Sequence, residues 1–254
     1  MTTLWDYSRN AILQWIHALD IASSTRNPSN LSFLERTPSS LPPKRLLQFG
    51  NVNTRSIRNT TAEFLHHVLD SRLDVCTVTE TWLSDKDTVS LASLSPSGFN
   101  FKNFPRPSER NGGGRGVFHN LSLDLSFFDG GEKSSFEFSE WKLSAHGRII
   151  RLVVVYRPPY SKEHPVPASV FFQEFSAFLE TTVLCPEVLL VSGDFNFYLD
   201  DPSEADARKF MGLMDTFGLL QHITTPTHVS GHILDLIISR SSNDIKVLDR
   251  KSVV

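Results

Sequence analysis

The sequence predicts an α/β fold with many strands and with helices on the outside. The first sign is the stretch from residue 46 to residue 78, where the apolar residues change from strand spacing to helical spacing and back. The second is the β-branched run at 149–156, which Pro158 and Pro159 terminate because proline cannot continue a central strand. The third is the phenylalanine stripe at 171–179, whose spacing of three and four residues is typical of a helix with one buried face.

The individual elements can be read in chain order. The pattern predicts strands at 46–49, 75–78, 149–156, 188–191 and 233–239. A helix begins at Thr60, where Glu63 would complete a capping box. The sequence Asp-Pro-Ser-Glu at 201–204 is a strong start for a helix that runs to about residue 218. Residues 84–116 are rich in glycine and proline and are predicted to form a loop.

Residues 1–44 differ in composition from the rest of the chain. The apolar residues between Trp5 and Leu19 would fit one face of a short helix, and a loosely docked or disordered tail is the alternative that we favour. Residues 23–44 are rich in Ser, Thr, Asn and Pro, which is typical of a flexible linker. Two regions are therefore predicted: a divergent N-terminal tail and linker at 1–44, and one domain at 45–254.

The composition excludes several classes of protein. The chain has 254 residues, of which 40% are hydrophobic, and its net charge of −3 does not indicate a nucleic-acid binder. Its two cysteines, Cys76 and Cys185, form neither a disulfide framework nor a Cys-x-x-Cys metal site, so an intracellular protein with reduced thiols is expected. No stretch reaches the roughly 20 apolar residues that a membrane-spanning helix needs.

Polar side chains directly follow three of the predicted strands. Asp194 and Asn196 come after an apolar run, and residues two apart in a strand share a face, so both are expected to point the same way while Phe195 points away. The segments Asn51-Val52-Asn53 and Thr79-Glu80-Thr81 follow two earlier strands. Three strand ends that carry carboxylates and amides predict one active site for a metal ion and a phosphate.

With two further motifs, these strand ends resemble the endonuclease/exonuclease/phosphatase superfamily, and above all the endonuclease domain of LINE-type (non-LTR) retrotransposons. Five motifs occur in the family's order over roughly residues 45–250. They are Asn51-Val52-Asn53, Thr79-Glu80-Thr81-Trp82-Leu83, Val155-Tyr156-Arg157-Pro158-Pro159, Gly193-Asp194-Phe195-Asn196 and the segment 227–235 from Thr227 to Asp235. The resemblance implies an α+β fold: a two-layer β-sandwich flanked by helices, with the active site at one edge of the paired sheets.

The resemblance also implies a metal-dependent nuclease. Glu80 would be the main ligand of Mg²⁺, or of Mn²⁺ in its place, because a hard cation prefers carboxylate oxygen. Asn51 and Asn53 would lie beside the metal, and some relatives carry Asp where this chain has Asn53. The substrate would be DNA, with no small-molecule cofactor and no membrane contact. The nucleus would be the location, and a reverse transcriptase domain would have to come from elsewhere.

In the same resemblance, the remaining side chains act on water and phosphate. Asp194 would orient and deprotonate the attacking water, and Asn196 would hydrogen-bond the scissile phosphate. Tyr156 would donate its phenol to a phosphate oxygen or support the nucleophile. Thr227 would contact the phosphate or the DNA backbone. Asp235 would orient a catalytic histidine through its imidazole N–H.

One motif of the family is not found. The family places Ser-Asp-His near the end of the domain, and this sequence contains no such tripeptide. The last strand of the sandwich is therefore expected to be missing. The polypeptide alone is expected to be poorly active, because losing such a group typically costs on the order of 10²–10⁴ in rate. A non-catalytic remnant or interaction module with the same fold is the alternative, and a phosphoinositide, sphingomyelin or nucleotide is a third choice of substrate.

Several polar motifs also have purely structural explanations. Taken alone, Asp194 and Asn196 would form an Asx-type turn after a strand. His228 and His232 are four apart, a spacing that binds zinc on a helix, but the Ser-Gly between them favours a hairpin. The three glycines at 112–114 are predicted to be flexible. Four cationic residues of the long loop would either approach DNA phosphates or form a solvated surface: Lys102, Arg106, Arg110 and Arg115.

Overall fold

The structure is a computed structural model that describes residues 16–21, 47–107, 112–243 and 245–249. Its strands are β1 (Ile16–Ile21), β2 (Leu47–Asn53), β3 (Val75–Thr79), β4 (Phe99–Phe104), β5 (Arg115–Asn120), β6 (Asp124–Glu132), β7 (Glu137–Ala145), β8 (Arg148–Tyr156), β9 (Val188–Asp194), β10 (Leu219–Gln221), β11 (Asp235–Arg240) and β12 (Ile245–Asp249). Its helices are α1 (Thr61–Asp70), α2 (Thr88–Ser93), α3 (Ala168–Thr182) and α4 (Ala205–Thr216), and a 3₁₀ turn covers Ile57–Asn59.

The described strands form two mixed sheets that pack face to face. Sheet A has the order β12-β1-β2-β3-β5-β4, and sheet B has the order β10-β11-β9-β8-β7-β6. Within each sheet one neighbouring pair is parallel, β2 with β3 and β8 with β9. Strand β2 packs against β9 and β11, and β3 packs against β8 and β9, so the two parallel pairs lie over one another. The predicted two-layer sandwich flanked by helices is confirmed.

Both faces of strand β3 in sheet A are buried. Val75 belongs to the core between the sheets, whereas Cys76 and Val78 belong to a second cluster that α1 covers. Phe64 of α1 contacts the ring of Phe118 on β5 in an edge-to-face arrangement at 5.6 Å. This alternation of side chains with period two places both faces of β3 in apolar surroundings. The polar ends of β2 and β3 are therefore held by a rigid centre.

The phenylalanine stripe of α3 forms the main core, as the sequence predicts. Phe171 and Phe175 are fully buried and both contact the ring of Phe195, which follows β9 directly. Burying a phenylalanine contributes about 1.5–3 kcal/mol relative to leaving it in water. The burial of Phe195 therefore fixes the chain between Asp194 and Asn196, the two polar residues that bracket it.

Several elements differ from the prediction because long-range pairing overrides local pattern. The predicted loop at 84–116 contains α2, β4 and the start of β5, since each strand finds a partner in sheet A. The predicted capping box is wrong, because the Thr60 hydroxyl donates backwards to Ser56 O and makes no cap. The helix expected from residue 201 starts at Ala205, because Asp201 Oδ1 instead accepts from the backbone and hydroxyl of Ser203.

Six residues of the predicted N-terminal tail lie within the described ranges. Ile16–Ile21 form a strand that pairs antiparallel with β2 and β12, whereas the sequence suggested a short helix or, as the favoured alternative, a loosely docked or disordered tail. An open sheet edge offers backbone partners that a local pattern does not reveal. Residues 1–15 and most of the predicted linker lie outside the described ranges, so the boundary at 44/45 stays a prediction. The expectation of a missing last strand also stays a prediction. Across the described ranges, no helix combines the length and apolar character needed to cross a membrane.

Candidate active site

Strand register in sheet B places four polar residues in one row. Glu137 of β7 is opposite Tyr156 of β8, which is opposite Asp194 of β9, and Asp194 is opposite Asp235 of β11. The row lies at the edge where the parallel pair β8 and β9 terminates, and both Glu137 and Asp235 begin their strands there. Polar groups from four strands therefore converge at one edge.

Sheet A closes this edge with hydrogen bonds to sheet B. Asn53 Nδ2 donates to Asp194 Oδ2 at 2.6 Å and to Glu80 Oε1 at 2.8 Å. Asn51 Nδ2 makes a longer bond of 3.4 Å to Asp235 Oδ1. Asn53 thus bridges two carboxylates through its nitrogen, while its oxygen accepts from the backbone N–H of Arg55. The structure brings Glu80, Asn53 and Asp194 together.

Deeper in the molecule, a buried threonine extends these bridges. The Thr77 hydroxyl lies 2.9 Å from Ser192 Oγ across the sheets and 2.9 Å from Oδ1 of Asn51. Thr77 and Ser192 are fully buried, and buried hydroxyls of this kind are costly unless paired. The Thr77–Ser192 pair therefore orients the Asn51 side chain from the interior of the protein. Neither Thr77 nor Ser192 was picked out from the sequence, because their value depends on a contact across 115 residues of chain.

The segment that carries Glu80 is held in a strained conformation. Glu80 and Trp82 have φ values of 52° and 54°, in the left-handed region that disfavours side chains other than glycine. The carbonyl of Glu80 accepts from Ser56 N at 2.9 Å and from the Thr54 hydroxyl at 3.1 Å. The indole Nε1 of Trp82 donates to Glu80 Oε2 at 3.2 Å. Backbone strain of this kind persists only where surrounding contacts over-determine it, and it concentrates at functional sites.

The turn after β9 combines the two explanations that the sequence left open. The backbone N–H of Asn196 donates to Asp194 Oδ1 at 3.0 Å, which is the Asx-type turn. The other oxygen of Asp194 points to Asn53, so the same carboxylate also belongs to the polar cluster. Asn196 has a left-handed φ of 51°, and its Nδ2 donates to Arg157 O at 2.8 Å. The alternation of side chains between the two faces of the strand thus ends at Asp194. The turn, and not the strand, sets the direction of the Asn196 side chain.

Arg157 clamps this turn, although the sequence suggested no role for it. Its Nη1 donates to the carbonyls of Phe195 and Asn196 at 3.1 and 3.0 Å, and its guanidinium lies 4.1 Å from the ring centroid of Phe197. The side chain is buried, so these charge-assisted bonds are only weakly screened by water. The position of Arg157 inside the Tyr-Arg-Pro-Pro motif was the signal that could have marked it.

The carboxylates of the row repel one another electrostatically. Burial first, and then the Asp194 charge, raises the pKa of Asp235 well above its usual range. Burial also raises the pKa of Asp194, with the Glu80 charge adding to it and the Asn53 hydrogen bond opposing it. Burial, the nearby Glu80 and Asp194 charges and a hydrogen bond toward Glu80 hold the pKa of Tyr156 far above its ordinary value. The Tyr156 phenol therefore stays protonated.

The donor set fits a hard divalent cation in chemistry but not yet in arrangement. Within the described ranges, no three His, Cys, Asp or Glu side chains gather as a metal site would. Glu80 and Asp194 nevertheless share one amide, and no ion pair between described residues neutralises either of them or Asp235. Three carboxylates without a paired cation are what a divalent ion compensates.

Thr227 and the histidines lie in positions that the sequence did not predict. The buried Thr227 hydroxyl accepts from the backbone of Leu234 and Asp235 at 2.9 and 3.0 Å, which ties it to the start of β11. His232 Nδ1 lies 2.9 Å from Asp200 Oδ2, and its ring stacks on Tyr198. Among the described residues, no imidazole hydrogen-bonds Asp235.

His228 and His232 have different hydrogen-bond partners. The Nε2 of His228 faces Arg55 Nη2 at 3.0 Å, so the two imidazoles have separate partners. Residues 228–231 form a turn closed by bonds to His232, in agreement with the predicted hairpin-like conformation. The four-residue spacing of zinc-binding histidines belongs to a helix, and this segment is a turn.

The loop cations are mostly structural. Arg115 and Arg106 both pair with the buried Glu137. The side chain of Arg115 is 0% exposed, so the predicted approach to DNA phosphates is wrong for Arg115. Lys102 is exposed on β4, and Arg110 lies outside the described residues. The glycines at 112–114 are not a loose tether, since all three have left-handed φ values and the carbonyls of the last two bind the Glu80 segment.

The chain matches a known protein family over most of its length. Residues 47–246 match the model of the Endonuclease/Exonuclease/phosphatase family, and the chain belongs to that family. A comparison with curated proteins found no significant match. The fold of the chain is therefore that of a family named for endonucleases, exonucleases and phosphatases.

Solved structures with the same fold include several nucleases. The AP endonuclease LMAP from Leishmania major has a TM-score of 0.58 at 15% identity, covering 83% of this chain and 84% of that one. The endonuclease domain of TRAS1, a telomere-specific non-LTR retrotransposon, has a TM-score of 0.52 at 12% identity, covering 75% and 83%. An AP endonuclease from Archaeoglobus fulgidus has a TM-score of 0.54 at 14% identity, covering 76% and 85%. Identities this low show a common fold.

Proposed function

We propose that this chain is a divalent-metal-dependent phosphodiester hydrolase that nicks DNA. The observation that carries the proposal is the cluster of Glu80, Asn53 and Asp194, in which one amide joins two carboxylates at the edge of the sandwich. Such a cluster destabilises the protein unless a cation neutralises it, because neighbouring like charges that are shielded from water repel one another. A divalent cation would offset that cost and neutralise charge on a phosphate under attack.

In this proposal, Glu80 holds the cation and Asp194 acts on water. Glu80 is half-buried and carries a carboxylate oxygen toward the cluster, which suits Mg²⁺ or Mn²⁺. Asp194 orients the attacking water and accepts its proton, since its raised pKa brings its basicity nearer to neutral pH. Asn53 bridges the two carboxylates by donating to both. Its amide would present oxygen to the cation if it rotated, a change that gives up the bond from Arg55 N as well as those two.

The other side chains bind the phosphate or support the row. Tyr156 donates a hydrogen bond to a phosphate oxygen in place of the one toward Glu80, because its raised pKa keeps the phenol neutral at any physiological pH. Asn196 uses its second amide N–H on the scissile phosphate, since the first is given to Arg157 O. Thr227 and Asn51 support Asp235 from the backbone side and the side-chain side. We therefore propose Thr227 as a supporting residue in place of the direct phosphate contact expected from its motif.

DNA is the proposed substrate because several solved structures with the same fold are named as endonucleases. TRAS1 is named as the endonuclease domain of a non-LTR retrotransposon, and two other neighbours are named as AP endonucleases. The five ordered motifs point the same way. A chromosomal DNA substrate would place the protein in the nucleus.

A second candidate function is a non-catalytic module with the same fold. It is favoured by Asp235, whose described partners are Asn51 and Thr227 and do not include an imidazole. Asp235 would then serve to close the sheet edge, and any binding of DNA would proceed without cleavage.

The test is nicking of supercoiled plasmid DNA by the full chain in Mg²⁺. We expect nicking that EDTA abolishes, and we expect Asp194→Ala and Glu80→Ala each to lower it by at least about 10²-fold. Asp215→Ala, on the exposed face of α4, is the matched control and should nick like the unmodified chain. Nicking that survives Asp194→Ala would reject these residues as the catalytic set. A folded chain that binds DNA and never nicks it would favour the second candidate.

A further inference from the structure

A buried ion-pair network lies behind the strained segment that carries Glu80. The side chain of Glu137 is 1% exposed and pairs with both Arg115 and Arg106. Arg115 is itself fully buried, and burial lowers its pKa to about 10. Its Nε and Nη2 find no hydrogen-bond partner among the described residues. Arg115 therefore depends on Glu137 to offset the cost of its burial.

One hydrogen bond to the Glu137 side chain and two backbone–backbone hydrogen bonds connect this network to the Glu80 segment. Gly114 N donates to Glu137 Oε2 at 3.0 Å. The carbonyl of Gly114 accepts from Thr81 N at 3.3 Å, and the carbonyl of Gly113 accepts from Trp82 N at 2.9 Å. Trp82 in turn donates from its indole to Glu80 Oε2. The carboxylate of Glu137 is thus linked to Glu80, the candidate metal ligand, by hydrogen bonds through Gly113, Gly114 and Trp82.

Only glycine can make this connection. Gly113 and Gly114 have φ values of 71° and 81°, which disfavour any side chain, and a Cβ on Gly113 would overlap Glu137 Oε1 and Arg106. Glu137 therefore packs directly on the bare backbone that binds the segment of Glu80. The left-handed φ of Glu80 and of Trp82 requires such outside support, because neither conformation is stable by itself.

We propose that Glu137 is a positioning residue for Glu80: by fixing Gly113 and Gly114, it holds the 80–82 segment in the conformation that binds the cation. This inference rests on the proposed function, in which Glu80 is the metal ligand. Glu137 contacts Arg106, Arg115 and Gly114 and is not among the residues proposed to hold the cation or the phosphate. Its removal should therefore weaken metal binding while leaving the reaction at saturating metal largely intact.

The chain offers a matched control on the same strand. Glu140 of β7 is buried like Glu137 and pairs with Arg151 at 3.1 Å. Arg151 also pairs with Glu187, which is not part of the network around the glycines. Replacing Glu140 thus removes a buried ion pair of the same type from the same strand without touching the Glu80 segment.

The experiment compares Glu137→Gln with Glu140→Gln in the full chain. We expect Glu137→Gln to raise the Mg²⁺ concentration for half-maximal nicking by about tenfold or more and to weaken Mn²⁺ binding in calorimetry by a similar factor. Glu140→Gln should stay within about twofold of the unmodified chain in both, and Glu137→Asp should recover part of the loss. Amide hydrogen exchange at Thr81 and Trp82 should speed up in Glu137→Gln alone.

Two outcomes would overturn the proposal. One is a folded Glu137→Gln variant with unchanged metal dependence, and the other is an equal shift in both variants, which would indicate general destabilisation. Should Glu137→Gln fail to fold, the pair Glu137→Leu with Arg115→Met removes Glu137 together with its fully buried partner Arg115, leaves Arg106 in place, and is tested in the same way. An unmodified chain that never nicks DNA would reject the proposed function. Exchange at Thr81 and Trp82 would still decide whether Glu137 positions the segment.

Discussion

The amide nitrogen of Asn53 lies 2.6 Å from Oδ2 of Asp194, and this hydrogen bond joins the two sheets where their strands end. The residues are 141 positions apart in the chain. Because the same nitrogen also binds Glu80, one side chain sets the spacing of two carboxylates. The stability of this edge and its affinity for a cation should therefore be coupled through Asn53.

Replacing Asn53 by Asp should make stability depend on metal. In Asn53→Asp, two carboxylates lose their shared donor and gain a third negative charge, so the melting temperature should fall in EDTA. With Mg²⁺ present the new carboxylate becomes a ligand, and the melting temperature should recover to that of the unmodified chain or above. Thermal unfolding in EDTA and in Mg²⁺ measures both effects. An Asn53→Asp variant that melts at one temperature in the two buffers would contradict this account.

Gly193 should tolerate no side chain. Its φ is 141°, and a Cβ there would overlap the carbonyl oxygen of Val155 on the paired strand. We expect Gly193→Ala to lower the free energy of unfolding by more than about 2 kcal/mol, because the β8–β9 pair would have to separate.

Gly212 is the control for this substitution. It lies in α4, and a Cβ added there would meet no atom within 4 Å beyond its own helix backbone and chain neighbours. Gly212→Ala should therefore raise the free energy of unfolding by roughly 0.5–1 kcal/mol. Urea denaturation of both variants measures the difference. Equal stabilities for the two variants would show that the close approach at Gly193 relaxes easily.

Replacing Arg157 should lower the free energy of unfolding far more than replacing an exposed arginine that also donates to two carbonyls. Arg157→Ala leaves the buried carbonyl of Phe195 and the part-buried carbonyl of Asn196 without charge-assisted donors, at a cost of about 1.5–3 kcal/mol, and frees the turn that holds Asp194. Arg208 likewise donates to two carbonyls, those of Pro202 and Ser203, but it is exposed. Arg208→Ala should change the free energy of unfolding by less than about 0.5 kcal/mol. Urea denaturation separates the cases, and similar losses for both would remove the special role of Arg157.

His222 should make the protein less stable in acid. Burial lowers the pKa of His222 below its ordinary value of 6.5, and its Nε2 lies 2.8 Å from Ser239 Oγ. Below about pH 6.5 the unfolded chain therefore binds a proton that the folded chain resists, so the free energy of unfolding falls as the pH falls. In His222→Gln the decrease between about pH 7.5 and about pH 5 should be smaller. Parallel stability curves for the variant and the unmodified chain would show that His222 does not contribute.

The main elements of this fold and the strand-end residues could be predicted from the sequence because both depend on local pattern. The phenylalanine period of α3 and the β-branched run of β8 are visible in any short window, and so are Glu80 and Asp194 at the ends of apolar runs. The predicted loop at 84–116 failed for the converse reason, since β4 and β5 are strands only because sheet A provides their partners.

The sequence by itself determined which chemical groups stand at the strand ends, and through its ordered motifs the family to which they belong. Only the tertiary structure decided how those groups face one another. Asn51 meets Asp235 across 184 residues, and Glu137 meets the glycines beside Glu80 across 23. Hydrogen bonds and ion pairs of this kind form between surfaces that meet after the sheets have packed, so no local spacing of residues encodes them.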